Sequence, residues 1–134
     1  LDRGLVVAMD EVAAGHTVAA HILSLGHRRV GIILGDPSHA ASRGRLEGYR
    51  QAFQDGAVTI DDSLVGTGDF TYDVGYRVAL ELLDRPVRPT AILAQNDDMA
   101  VAAMKAGASL KTGTRKKVLM PACAAARRRA MSRS

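Results

Sequence analysis

Several residue groupings that often carry chemistry fail here on spacing. His16 and His21 are five apart, whereas a helical metal pair needs i, i+4 spacing, so no metal site follows. Ala40-Ala41-Ser42-Arg43-Gly44 lacks the first glycine of a nucleophile elbow, and Ser42 better suits a helix N-cap. Residues 107–113 place two glycines near lysines, but at the wrong interval and without the Gly-Lys-Ser/Thr ending of a phosphate loop. With no cofactor motif either, the expectation is a protein that binds and catalyses nothing. Binding chemistry is better represented. Arg45 carries a planar fork of donors suited to hydroxyl or carboxylate groups, and otherwise reads as an exposed helix arginine. Phe70 is one of only five aromatic residues and could stack on an apolar ligand face, or equally plug its own core. Asn96 and Asp97 open a helix, where capping alone explains them.

The elements that must position these residues are legible from apolar spacing. Residues 11–25 place Val18, Ala19, Ile22 and Leu23 on one stripe and end at Gly26, which predicts a helix. Val30-Gly31-Ile32-Ile33-Leu34 is a short apolar run closed by Gly35-Asp36-Pro37, a strand buried on both faces. Residues 42–55 predict a second helix stopped by Gly56, and residues 63–66 a second strand. Thr71 or Asp73 caps a third helix ending before Arg85-Pro86; residues 90–94 form a third strand, and Asn96 or Asp97 starts a fourth helix through about Met104. Alternating short strands and helices predict an α/β domain with a parallel sheet. Ligands in such sheets bind beyond the carboxyl ends of the strands, here residues 35–45, 68–72 and 95–98.

Composition sets the bounds. The 134 residues, 47% hydrophobic, suffice for one core; no run reaches the roughly 18 apolar residues of a membrane span, and a single cysteine, Cys123, forms no internal disulfide. With no signal-peptide pattern either, a cytoplasmic location is the default expectation. The net charge of +4 is unevenly spread: residues 1–104 carry nine Lys and Arg against all fourteen Asp and Glu, and residues 105–134 carry nine Lys and Arg and no acid. Residues 107–134 show no defensible periodicity and are expected to be weakly structured.

Four segments in series, "HILSLGHRRVGIILG" (21–35), "SRGRLEGYRQAF" (42–53), "GDFTYDVGYRVALELL" (68–83) and "RPTAILAQNDDMAVAAM" (88–104), resemble the sensor domain of LacI/GalR transcription regulators in order and spacing. The resemblance covers about residues 1–104. It implies a parallel three-layer α/β fold of the periplasmic-binding-protein-like type, with this chain holding mostly the C-terminal lobe. Residues 1–9 would end the N-terminal lobe and cross over, 10–106 would form the effector-binding lobe, and 107–134 a basic tail. It further implies that Arg45, in the family's RxxG stretch, pairs ligand oxygens and that Asn96 and Asp97 lie at the cleft mouth. His39 and Ser42, in the loop entering the Arg45 helix, would vary with ligand identity. Phe70 would join them, so Arg45, Phe70 and Asn96 should meet on one rim of the sheet.

The implied partners are a small sugar- or purine-like effector, operator DNA through a headpiece that these 134 residues do not show, and a second copy in a homodimer; no membrane contact is implied. Beyond Lys105 the family's "GLxVPxDVxVxGFDD" continuation is missing, and with it an acidic ligand contact. Two other readings compete. A solute-binding component of a sugar transporter shares the fold but normally carries an export signal. The basic tail could engage nucleic acid phosphates without sequence preference, although it lacks stacking aromatics, and a shifted reading frame would also produce such a stretch.

Overall fold

The computed structural model describes residues 4–110 and 117–119. Four helices, α1 (Glu11–Ser24), α2 (Ala40–Asp55), α3 (Tyr72–Leu83) and α4 (Asp97–Ser109), accompany four strands, β1 (Val30–Leu34), β2 (Val65–Thr67), β3 (Ala91–Ala94) and β4 (Lys117–Leu119). A short 3-10 turn, Asp62–Leu64, leads into β2. All three strand pairings are parallel and the order is β2-β1-β3-β4.

Period-two alternation in the strands distributes the core between two faces. Val30, Ile32, Ala91 and Leu93 join Val18, Ile22, Tyr49 and Phe53 of α1 and α2. Ile33, Ile92 and Ala94 join Val78, Leu82, Met99 and Ala103 of α3 and α4. The result is a three-layer sandwich, as expected. Each fully buried aliphatic side chain contributes roughly 1.5–3 kcal/mol, so the strands are held from both sides.

Glycines set how closely the helices approach. A Cβ on Gly48 would overlap the Val12 carbonyl and the His16 amide, and one on Gly15 would overlap the Arg45 carbonyl, so α1 and α2 touch backbone to backbone. A Cβ on Gly75 would lie 2.9 Å from Met99 Cα, bringing α3 against α4.

Three boundaries differ from the sequence expectation. Thr71 does cap α3, accepting from the Val74 amide at 3.4 Å, but the N-cap of α2 is His39, with no side-chain cap bond, and Ser42 lies inside the helix. The second strand begins at Val65, because Asp61 accepts from the Ser63 amide at 2.9 Å and curls residues 62–64 into a turn. The segment read as weakly structured from residue 107 instead continues α4 to Ser109 and supplies β4, which pairs with β3 from Ala91↔Lys117 to Leu93↔Leu119. Its apolar alternation is too short to reveal a strand; an open edge on β3 provides the partner. The remainder of the basic segment lies outside the described residues.

Candidate functional site

The chain leaves β1 toward β2 on one side and returns through α3 to β3 on the other, so the direction of winding reverses between β1 and β3. In open parallel sheets the crevice beyond the carboxyl ends of such a strand pair is the natural ligand position. Gly35 and Gln95 occupy it here, immediately after Leu34 and Ala94.

Gln95 is completely buried and makes three side-chain hydrogen bonds. Its Oε1 accepts from the Gly35 amide at 2.7 Å and from Ser42 Oγ at 2.6 Å, and its Nε2 donates to the Ser42 carbonyl at 3.0 Å. Its backbone amide donates to the Ile33 carbonyl at 3.2 Å. Leaving a buried polar group unpaired costs about 1–3 kcal/mol, so this set fixes the end of β3, the β1–α2 loop and the first turn of α2 together.

Arg45, one turn further along α2, donates from Nε to Glu11 Oε2 at 2.7 Å and from Nη1 to the Gln95 carbonyl. The side chains of this ion pair retain only 14% and 23% of their exposure, so it lies largely out of solvent. Glu11 starts α1, directly after residues 4–10, which belong to no helix or strand. Arg45 is therefore not the loose surface arginine of its plain alternative.

Asn96 caps α4 with Oδ1 on the Met99 amide at 2.9 Å, while its Nδ2 donates to the Phe70 carbonyl at 2.7 Å. Capping and contact with the neighbouring loop are thus both performed by one residue. Phe70 has a φ of 70°, a left-handed conformation uncommon for a bulky residue, and its half-buried ring lies where a Cβ on Gly35 would be. The ring also meets His39, with centroids 5.3 Å apart and planes at 59°. Asp97 is exposed, in the first turn of α4.

Five of the six residues singled out from the sequence, Arg45, Phe70, Asn96, His39 and Ser42, are therefore linked through direct contacts around Gln95. Arg45 and Asn96 lie on the same rim. Ser42 is the one whose local role changes: its hydroxyl faces Gln95 rather than the helix N-terminus. Gln95 and Glu11 were not singled out. A polar residue directly after four fully buried strand residues was the available signal for Gln95; no local pattern marks Glu11, whose partner is 34 residues away.

Carboxylates flank the rim. Hydrogen bonds from Ser38 hold Asp36 below the usual carboxylate range, and hydrogen bonds from Thr71 do the same for Asp69. Arg43 turns back, donating to the Pro37 and Ser38 carbonyls at 3.0 and 2.9 Å. Elsewhere, His16 pairs with Asp55 across α1 and α2 at 2.9 Å. An open hollow of about 290 Å³ lies away from the rim, between α2 and the β2 edge, lined by Leu34, Leu46, Phe53 and Val65 among others.

Residues 19–112 match the periplasmic binding protein-like domain. The chain is 43% identical over 101 residues to the HTH-type transcriptional regulator DegA of Bacillus subtilis (strain 168), a span of 75% of this chain and 30% of DegA. It is 37% identical over 99 residues to the HTH-type transcriptional regulator CelR of Thermobifida fusca, covering 74% and 29% of the two chains. Among solved structures, a sugar-binding LacI-family regulator from Escherichia coli, complexed with phosphate, superimposes with a TM-score of 0.79 at 27% identity, covering 85% of this chain and 42% of that one. A CelR–cellobiose complex gives 0.76 at 35% identity, covering 84% and 35%. The chain belongs to the periplasmic binding protein-like family, in the form carried by LacI-family transcriptional regulators. It spans about 30% of the length of these curated relatives.

Proposed function

We propose that this chain is the C-terminal lobe of the effector-sensing domain of a LacI/GalR-family repressor, binding a small sugar- or purine-like molecule on the Arg45–Phe70–Asn96 rim. The observation that carries the reading is the convergence of these residues on Gln95 at the winding reversal between β1 and β3. Two relatives solved with small molecules, cellobiose in one case and phosphate in the other, support an effector-binding role over catalysis. In the intact protein, effector binding shifts a homodimer between operator-bound and released states, with a separate headpiece reading DNA in the cytoplasm. Leu5, Val6 and Val7, apolar yet exposed, suit a segment crossing into a second lobe. The lobe proper then runs from residue 10 through β4, beyond the boundary near 106 suggested by sequence. No helix among the described residues is long and apolar enough to cross a membrane.

A two-lobed cleft closes over its ligand, so one lobe supplies about half the contacts. Halving a binding free energy of about 8 kcal/mol turns a micromolar dissociation constant into a roughly millimolar one. Amide NMR titration of the chain with cellobiose, ribose and hypoxanthine tests this. A ligand of the panel should move the amides of Gly35, Phe70 and Asn96 at about millimolar concentration, and Arg45→Met should weaken that binding about tenfold. Shifts confined to other surfaces would overturn the assignment of the rim.

A further inference from the structure

Resting on the reading of this rim as the effector site, we infer that it selects an uncharged, hydroxyl-bearing ligand over an anionic one, and that Glu11 sets this preference. An arginine facing a ligand usually suggests phosphate or carboxylate recognition. Here that charge is already matched. Arg45 gives Nε to the Glu11 carboxylate at 2.7 Å and Nη1 to the Gln95 carbonyl. Because the pair is largely buried, the two charges are coupled more strongly than an exposed pair would be. What Arg45 has left to offer is the second N–H of Nη1 and both of Nη2, which have no partner among the described residues: three N–H donors on a unit of no net charge. A hydroxyl oxygen satisfies such donors without introducing charge, whereas a phosphate must approach Glu11 as well.

Most of the surrounding charges act in the same direction, the exception being the start of α2, which has no acid in its first turn and no side-chain cap. The N-terminal end of α4 would ordinarily attract an anion, but Asp97 and Asp98 occupy its first turn. Asp36 and Asp69 lie in the loops on either side, each held ionised by its own hydrogen bonds. Arg43, the other arginine near the start of α2, has its Nη1 turned onto the backbone of residues 37 and 38. A phosphorylated or carboxylated ligand would meet more carboxylates than cations; a neutral polyol meets a set of donors and acceptors it can satisfy.

The test compares inorganic phosphate, glucose 6-phosphate and cellobiose on the 134-residue chain, followed through the Gly35, Phe70 and Asn96 amides. The unmodified chain should show no saturable response at the rim to either phosphate. Glu11→Gln, which keeps a hydrogen-bonding oxygen for Arg45 but removes its countercharge, should gain phosphate affinity by at least about tenfold, and Arg45→Met added to it should abolish the gain. Glu11→Ala provides a second variant with the same expected gain, and dispersed spectra establish that each variant is folded. Phosphate binding at the rim of the unmodified chain, including at the amides of residues 40–42 where α2 begins, would overturn the inference. So would folded Glu11 variants that gain nothing. Cellobiose moving only amides elsewhere would count against the rim as the sugar site, and the phosphate arms would still judge Glu11.

Discussion

On one face of the sheet α1 and α2 meet through backbone atoms, at Gly15 and Gly48; on the other, α3 meets α4 where Gly75 lies against Met99. The first approach is the tighter: a Cβ on Gly48 would come to 2.1 Å from the Val12 carbonyl oxygen, against 2.9 Å from Met99 Cα for one on Gly75. The polar positioning of the rim divides the same way. Arg45, Glu11 and Ser42 reach it from the α1–α2 face through an ion pair and buried hydrogen bonds, while Phe70 and Asn96 reach it from the α3–α4 face through ring packing and a helix cap. The lesson is that a directional site is held most rigidly where the supporting helices cannot slide, and the carboxylate that neutralises Arg45 sits on that side.

The largest expected effect comes from forcing the rigid contact apart. Gly48→Ala should destabilise the chain by about 3 kcal/mol in a denaturant titration, since the added methyl meets the backbone of α1. Gly75→Ala should cost less, about 2 kcal/mol, because its methyl would lie 2.9 Å from Met99 Cα, a smaller overlap than the 2.1 Å approach at Gly48. Equal costs would break the comparison. Gln95→Leu comes next, at about 2 kcal/mol, since it leaves the Gly35 amide and the Ser42 hydroxyl without their shared acceptor. Hydrogen exchange should then accelerate at Gly35 more than at Phe70; uniform acceleration would indicate general loosening instead of a lost link. Asn96→Ala should cost about 1 kcal/mol, the value of a helix cap, and should release Phe70 while leaving the Arg45–Glu11 pair in place. Phe70 ring resonances unchanged in that variant would contradict the division between faces.

The smallest effect is on acid stability. Hydrogen bonds from Ser63 and Thr71 lower the carboxyls of Asp61 and Asp69. Their stabilisation is therefore present above the ordinary carboxylate value and is lost as pH falls through the lowered folded values, below about pH 4. Asp69→Asn should flatten part of the decline in melting temperature over that window. A decline of unchanged steepness would show that the turn before α3 is held by other contacts.

Four helices and three strands were legible because each leaves a local record: a 3.6-residue apolar stripe in residues 11–25, a continuous apolar run in residues 30–34, and glycine or proline at the stops. Their parallel arrangement followed from the alternation alone, and the family resemblance of residues 21–104 pointed to Arg45, Phe70 and Asn96. The sequence could not settle which way each of these side chains is used. Asn96 could cap a helix or contact the rim, and folding lets it do both by bringing Phe70, 26 residues earlier, within reach of its amide. Ser42 suits an N-cap by type, yet packing against β3 commits it to Gln95, 53 residues away. Strand β4 exists because β3 offers an unpaired edge, which no periodicity in residues 117–119 announces. The pairing of Arg45 with Glu11 joins the second turn of α2 to the first turn of α1, which the close glycine-to-backbone approach of the two helices brings together, so the charge of the site was decided by the tertiary fold.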